Sequence, residues 1–300
     1  MAYEKPLKTA ADFSPEVLGL FDKFVHGDID RRAFLERVGK YAVGGLTAVA
    51  MLEALTPNFA RAEQVPSTDP RIKVERLGFD SPQGYGKGRG YCAKPAKIKG
   101  KLPVVLVVHE NRGLNPHIED IARRLAVDNF IAFAPDALFP LGGYPGDEDR
   151  ARDLFPKLDQ AKTQEDFVAA AHFIQREHDG NGRLGVVGFC YGGGVTNVLA
   201  TRVPEVKAAV PFYGVAPPLE KVPEIKASLL LNYADTDDRV NATWPPYEEA
   251  LKKAGIKYQM FKYPGTQHGF NNDTTPRYDE AAAKLAWTRT VELFNKALRT

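Results

Sequence analysis

Arg183-Leu-Gly-Val-Val-Gly-Phe-Cys-Tyr-Gly-Gly-Gly-Val195 is the stretch that decides the fold. Leu184, Val186 and Val187 make the short apolar run of a strand covered on both faces. Gly188-Phe-Cys-Tyr-Gly192 follows as G-x-C-x-G, the pattern of a nucleophile elbow with cysteine in place of serine. Flanking residues without Cβ atoms let strand and helix approach closely around a strained turn. Cys190 is therefore expected at the carboxyl end of a central strand. Its sulfur would lie near a helix N-terminus, where the thiolate, the reactive form of cysteine, is favoured. Residues 195–202 read as the helix that follows.

The rest of the chain supplies strands and helices in alternation. Residues 72–77 alternate apolar and polar side chains, turn residues fill 81–88, and a second strand begins at 90, so these form an antiparallel pair. Buried strands are expected at 102–109, 131–135, 206–213, 227–233 and 257–263, with helices at 116–128, 163–177, 246–254 and 278–298. Thr163, with Asp166 three residues on, reads as the cap of the second of these helices. The expected fold class is α/β: a doubly wound, mostly parallel sheet with an antiparallel start. The Pro- and Gly-rich, then acidic, stretch 136–160 suits a surface loop over the carboxyl ends of the strands.

Acyl transfer needs a base for the thiol proton and an acid that orients the base. In an elbow fold the order is nucleophile, acid, histidine, each after a later strand. The strand ending at 233 is followed by Ala234-Asp-Thr-Asp-Asp-Arg-Val240, and the strand ending at 263 by Pro264-Gly-Thr-Gln-His-Gly-Phe270. His268 is the candidate base. Asp235, Asp237 and Asp238 are the candidate acids, with Asp237 preferred. The backbone N–H of Tyr191 and that of Asn111 are the candidate oxyanion donors. His109-Glu110 invites a metal reading, but an H-E-x-x-H site needs His at 113, where Gly113 stands, so zinc is discarded. No cofactor is expected.

With these residues in place, residues 72–298 resemble the dienelactone hydrolase family, a cysteine branch of the α/β-hydrolases. The matching pieces are His109-Glu-Asn-Arg-Gly-Leu-Asn115, Ala134-Pro-Asp136, Gly188-Phe-Cys-Tyr-Gly-Gly193, Asp237 with Val240, and Gln267-His-Gly-Phe270. The resemblance implies a Cys-His-Asp triad of Cys190, His268 and Asp237. It also implies a role for Glu110 in forming the thiolate when substrate binds; the competing reading is an ion pair with Arg112 or another nearby base. The implied activity is hydrolysis of a small ester or lactone through an acyl-enzyme. Members of the family bind a substrate carboxylate with arginines after the Pro-Asp strand end and after the histidine. Residues 136–143 and 268–273 hold none, which argues against dienelactone itself and leaves Arg112 or Arg277 as substitutes.

Composition sets the outer bounds. Lys+Arg 40 against Asp+Glu 38 gives a net charge of +2, so nothing global favours nucleic acid as a partner. Cys92 and Cys190 are too few for a disulfide framework, and both are expected free. Residues 1–62 read as a separate N-terminal region with a helical pattern at 15–25. The pair Arg31-Arg32, the weakly apolar run 41–52 and Ala60-Arg-Ala62 resemble a twin-arginine export signal with a cleavage site. Glu36 stands where such signals prefer lysine, and the segment before the arginines is long. The reading implies the export machinery as partner, a periplasmic or secreted protein, and a hydrolase domain over 63–300. An unused signal would leave the protein cytoplasmic. The apolar run is too short for a stable membrane span. Two other functions compete: a thioesterase- or peptidase-like acyl hydrolase, and a redox-sensing binding protein on a hydrolase scaffold.

Overall fold

A computed structural model describes residues 8–42 and 47–299. Its N-terminal part is a cluster of short helices: α1 (Pro15–His26), α2 (Arg31–Val38), α3 (Ala48–Leu55) and α4 (Phe59–Ala62). Each begins at a side chain that accepts a backbone N–H of its first turn, respectively Ser14, Asp30, Thr47 and Asn58. Gly27, at φ 84°, ends α1 in the left-handed conformation that glycine adopts without cost. These helices share a small core of their own, including Phe21, Phe24, Phe34, Val38, Leu52 and Leu55. The apolar run of the export reading lies partly at 43–46, outside the described residues. No helix among the described residues is long and apolar enough to cross a membrane.

The larger part starts with the hairpin β1 (Ile72–Ser81) and β2 (Gly86–Pro95). There follow β3 (Leu102–Val108), α5 (Pro116–Val127), β4 (Ile131–Pro135), α6 (Glu148–Leu154), α7 (Gln160–Gln175) and β5 (Gly180–Phe189). The chain ends with α8 (Tyr191–Arg202), β6 (Val206–Phe212), β7 (Ser228–Thr236), α9 (Asp238–Asn241), α10 (Trp244–Ala254), β8 (Tyr258–Gln267) and α11 (Glu280–Leu298). All eight strands form one sheet in the order β1-β2-β4-β3-β5-β6-β7-β8. β2 is antiparallel to both β1 and β4, and every later pairing is parallel.

Strand periodicity explains why both faces are covered. Val104, Leu106 and Val108 of β3 face one core, shared with Phe167, Ile174, Leu199 and Leu251. Val105 and Val107 face the other, shared with Ile118, Ile121, Leu125, Phe294 and Leu298. Each such side chain contributes about 1.5–3 kcal/mol by leaving water. A two-sided core of this kind is what continuous apolar runs encode.

Two local expectations are corrected. Thr163 does not cap the helix read at 163–177: α7 starts at Gln160, where Asp159 accepts the N–H groups of Ala161 and Lys162. Thr163 is buried and donates its hydroxyl to the Asp159 carbonyl, while Asp166 accepts from Tyr85 N–H. A carboxylate is a stronger acceptor than a hydroxyl for the helix's open donors. The second correction matters more. β7 and β8 run past 233 and 263 and pair as far as Thr236 with Gln267. Asp237 and His268 are the next residues on the two strands, so the ladder itself sets them side by side.

Candidate active site

The turn after β5 is built by exclusion. A Cβ on Gly188 would lie 2.1 Å from the Gly192 carbonyl oxygen, and one on Gly192 would lie 2.3 Å from that of Val108. Only glycine allows backbone to meet backbone there. Between them Cys190 takes φ 56° and ψ −114°, a conformation costly for a residue with a side chain and retained at sites where the surroundings enforce it. Its N–H donates to the Phe212 carbonyl, and its own carbonyl accepts from Gly193 and Gly194, which locks the turn into α8. Tyr191 is the first residue of α8, so its N–H is one of the open donors at that helix start.

His268 Nδ1–H donates to Asp237 Oδ2 at 2.6 Å. The other Asp237 oxygen accepts Val240 N–H at the start of α9, so the carboxylate is held at both ends. Asp235 is used elsewhere, on Gly265 N–H and Lys262, and Asp238 is exposed within α9. Of the three candidate acids, Asp237 is the one bonded to the histidine. His268 Nε2 is buried and has no hydrogen-bond partner among the described residues. Cys190 Sγ, one ring nitrogen of His268 and one of His26 lie within 4.8 Å of one another.

Cys190, His268 and Asp237 are all buried. Burial pushes the Cys190 thiol up, but the imidazoles of His268 and His26 more than reverse this and hold it down at about 6. Burial lowers His268, and the facing thiolate together with Asp237 raises it to about 9. The two shifts describe one thiolate–imidazolium pair seen from its two members. Cys92, free like Cys190, lies fully buried in the core, and burial, helped by the carboxylates of Glu75 and Glu177, pushes its thiol up to about 12 against the weaker opposing pull of Lys94.

The loop after β3 carries the remaining candidates. His109 is buried and neutral, with burial lowering its affinity for a proton. Its Nδ1–H donates to the Glu110 carbonyl and its Nε2 accepts from Ala137 N–H, so neither nitrogen is left for a metal. Glu110 accepts from Asn272 Nδ2 at 2.8 Å rather than pairing with Arg112. Arg112 donates instead to the carbonyls of Asn111 and Val25 and lies 3.9 Å from Glu148. Asn111 places its side-chain amide on the same Val25 oxygen. That oxygen belongs to the last turn of α1, where carbonyls lack partners within the helix and cations are favoured.

Thus the N-terminal helices reach the site, a result the sequence reading did not anticipate. His26 Nε2 lies 3.7 Å from Cys190 Sγ, and Asp22 lies 3.4 Å from Arg277. Arg31 pairs with Asp149 at 2.6 Å, and Arg152 stacks over Phe24. Two cavities meet at the thiol. One, of about 420 Å³, has Phe21, Phe24, Phe59, Glu110, Arg112 and Arg277 in its wall. The second, of about 380 Å³, is more apolar, with Phe155, Tyr191, Val195, Val198 and Val215 in its wall. Cys190, His26 and His268 form the one group of three metal-capable side chains among the described residues, but Arg239 lies 3.0 Å from His26 Nε2 and occupies its lone pair.

A mostly parallel eight-stranded sheet with a strained elbow after β5, and the residues following β7 and β8 gathered around it, defines an α/β-hydrolase. The chain belongs to the dienelactone hydrolase family, whose model matches residues 89–298, and it is a hydrolase of that family. Residues 5–42 match a second family model, described as YqhI-like. A protein of Escherichia coli (strain K12) named "Putative hydrolase fragment YghX" is 54% identical over 114 residues, which is 38% of this chain and 97% of that protein. A "Putative carboxymethylenebutenolidase" of the same strain is 32% identical over 235 residues, 73% of this chain and 86% of the relative. The crystal structure of a "Putative Dienelactone Hydrolase" from Klebsiella pneumoniae superposes with a TM-score of 0.66 at 30% identity, covering 74% of this chain and 99% of that one.

Proposed function

We propose that the protein hydrolyses a small carboxylic ester or lactone through an acyl-enzyme on Cys190. The observation that carries this is the Asp237–His268 hydrogen bond of 2.6 Å beside a buried cysteine in a strained elbow. In the proposed cycle Sγ attacks the carbonyl carbon and forms the C–S bond. The negative charge that builds on the carbonyl oxygen is met by the N–H groups of Tyr191 and Asn111. The C–O bond then breaks, and the leaving alkoxide or enolate takes the proton carried by His268. Water, deprotonated by His268, attacks the thioester; the C–S bond then breaks, the acid leaves, and the thiolate again faces the protonated His268. Asp237 keeps the imidazole in the tautomer that points Nε2 at the reaction.

The two cavities meeting at Sγ suit the two halves of an ester, one on each side of the scissile bond. Glu110, Arg112 and Arg277 would make the larger one selective for a polar group. The names of the relatives support a lactone as one such substrate, and the missing arginines after Asp136 and His268 argue against dienelactone itself. Export by a twin-arginine route is part of the proposal, on the pair Arg31-Arg32 and the weakly apolar run that follows it. The enzymatic reading is tested by mixing the protein with p-nitrophenyl acetate and recording phenolate release and intact mass. Wild type is expected to release phenolate and carry an acetyl adduct on Cys190, and Cys190→Ser to lose most of the turnover. Full activity in Cys190→Ser would sink the thiol mechanism, and neither release nor adduct would favour the binding-protein reading.

A further inference from the structure

We propose that the N-terminal helix α1 stays with the active protein as a wall of the site and that its His26 is a positioning residue for the Cys190 thiolate, which works between two aspartate–imidazole pairs, Asp237–His268 and Asp22–His26. The inference rests on Cys190 being the nucleophile and goes beyond it by assigning a second imidazole that the family-matched segment 89–298 does not contain.

The geometry is specific. His26 is the last residue of α1, and its Nδ1–H donates to the Asp22 carbonyl one turn back at 2.8 Å. That bond fixes the ring and turns Nε2 toward Sγ, 3.7 Å away. The Asp22 carboxylate, 3.4 Å from Nδ1, supplies the negative charge that favours the imidazolium. On the opposite side His268 meets His26 edge to face, with ring centroids 4.8 Å apart. The helix end is pinned by Asn111 and Arg112 on Val25 O and by Arg277 near Asp22. The three-phenylalanine cluster of Phe21, Phe24 and Phe34 holds the helix rigid behind it.

The charged groups facing His26 settle when it carries a proton. They are Asp22 from its own helix, Cys190 from the elbow, His268 from the loop after β8 and Arg239 from α9. Nε2 serves one partner at a time. As a neutral imidazole it accepts from Arg239, 3.0 Å away; as an imidazolium it would donate to the thiolate, which requires the exposed Arg239 to move off Nε2. Proton uptake at His26 therefore goes with proton loss at Cys190. In the combined arrangement, burial opposes the charge on His26, while Asp22 and the thiolate raise it to about 10. In the resting site His26 then shares the charge of the thiolate, and His268 keeps its proton for the leaving group once Sγ is bonded to the acyl carbon. A chain cut after Ala62 would lack this residue and one side of the larger cavity, so the segment is expected to be retained, whether or not it directs export.

The test uses the full chain and needs no substrate. The rate of Cys190 alkylation by iodoacetamide is measured against pH for wild type and His26→Gln, with peptide mass spectrometry to separate Cys190 from Cys92. The midpoint is expected to rise by about one pH unit in the variant, with the thiolate fraction at pH 6 falling about fivefold. An unmoved midpoint in a variant that melts like wild type would overturn the proposal, since a residue that only walls the cavity changes KM and not this profile. If the variant melts early, the reciprocal measurement decides. The His26 ring is titrated by NMR in wild type and in Cys190→Ala, and its midpoint is expected to fall in the latter; an unchanged midpoint overturns the proposal. Failure of the hydrolytic reading is seen separately, as no p-nitrophenyl acetate turnover in a protein whose alkylation profile still depends on His26.

Discussion

The two cysteines of this chain provide an internal comparison, because the fold treats them oppositely. Cys190 titrates at about 6 and Cys92 at about 12. At pH 7 the first is about nine-tenths thiolate and the second about one part in 10⁵. A thiolate of lower pKa is a weaker nucleophile, with a Brønsted coefficient of about 0.4–0.5, so a gap of about six units takes back a factor of about 10³. The remaining advantage of Cys190 is about a hundredfold, before access is counted. Access widens it, since Cys92 is 0% exposed in the core while Cys190, at 8%, opens on two cavities. The pH dependence has a definite sign. The Cys190 thiol is depressed from its ordinary value of 9.0, so thiolate stabilisation is present above that value and is lost as pH falls through about 6. His268 is raised from 6.5, so its contribution is present below that value and is lost as pH rises through about 9. The ion pair therefore spans pH 6 to 9. Timed iodoacetamide labelling, read by peptide mass spectrometry, should show selective modification of Cys190 with a rate nearly flat between pH 7 and 8. Equal labelling of the two cysteines, or a tenfold rise at Cys190 across that unit, would refute the thiolate argument.

Asp237→Asn keeps the shape of the site but removes the charge and the acceptor that orient His268. It is expected to lower kcat by about 10²–10⁴-fold with little change in KM, and a loss confined to KM would place Asp237 outside the proposed triad. For export, a fusion carrying residues 1–62 with Arg31 and Arg32 both replaced by lysine should accumulate in the cytoplasm while the wild-type fusion fractionates outside it. Equal distribution of the two would remove the twin-arginine route.

The hydrolase part of this protein was legible wherever chemistry and local sterics coincide. Gly188 and Gly192 read as an elbow because no other residue lets the turn meet Val108 and α8 at backbone distance. Asp237 and His268 were readable as candidates because chain order in a parallel sheet puts the ends of successive strands at one edge. The ends of β7 and β8 were read too early, since Asp235, Pro264 and Gly265 resemble breakers. In the sheet their irregularity is absorbed as a register shift before the Thr236–Gln267 pair.

What the sequence by itself determined is the α/β class, a mostly parallel sheet with an antiparallel start, and Cys190 as the candidate nucleophile. These follow from periodicity and residue type along short stretches. What only the tertiary structure decided is the company that cysteine keeps. His26 is 164 residues away from Cys190 in sequence, on a helix whose own pattern says only that Phe21 and Phe24 are buried. Nothing local to α1 indicates that its last carbonyls would be taken by Asn111 and Arg112, or that Asp22 would face Arg277. Those meetings depend on how one packed surface docks on another, and that long-range complementarity is absent from any single stretch of the chain.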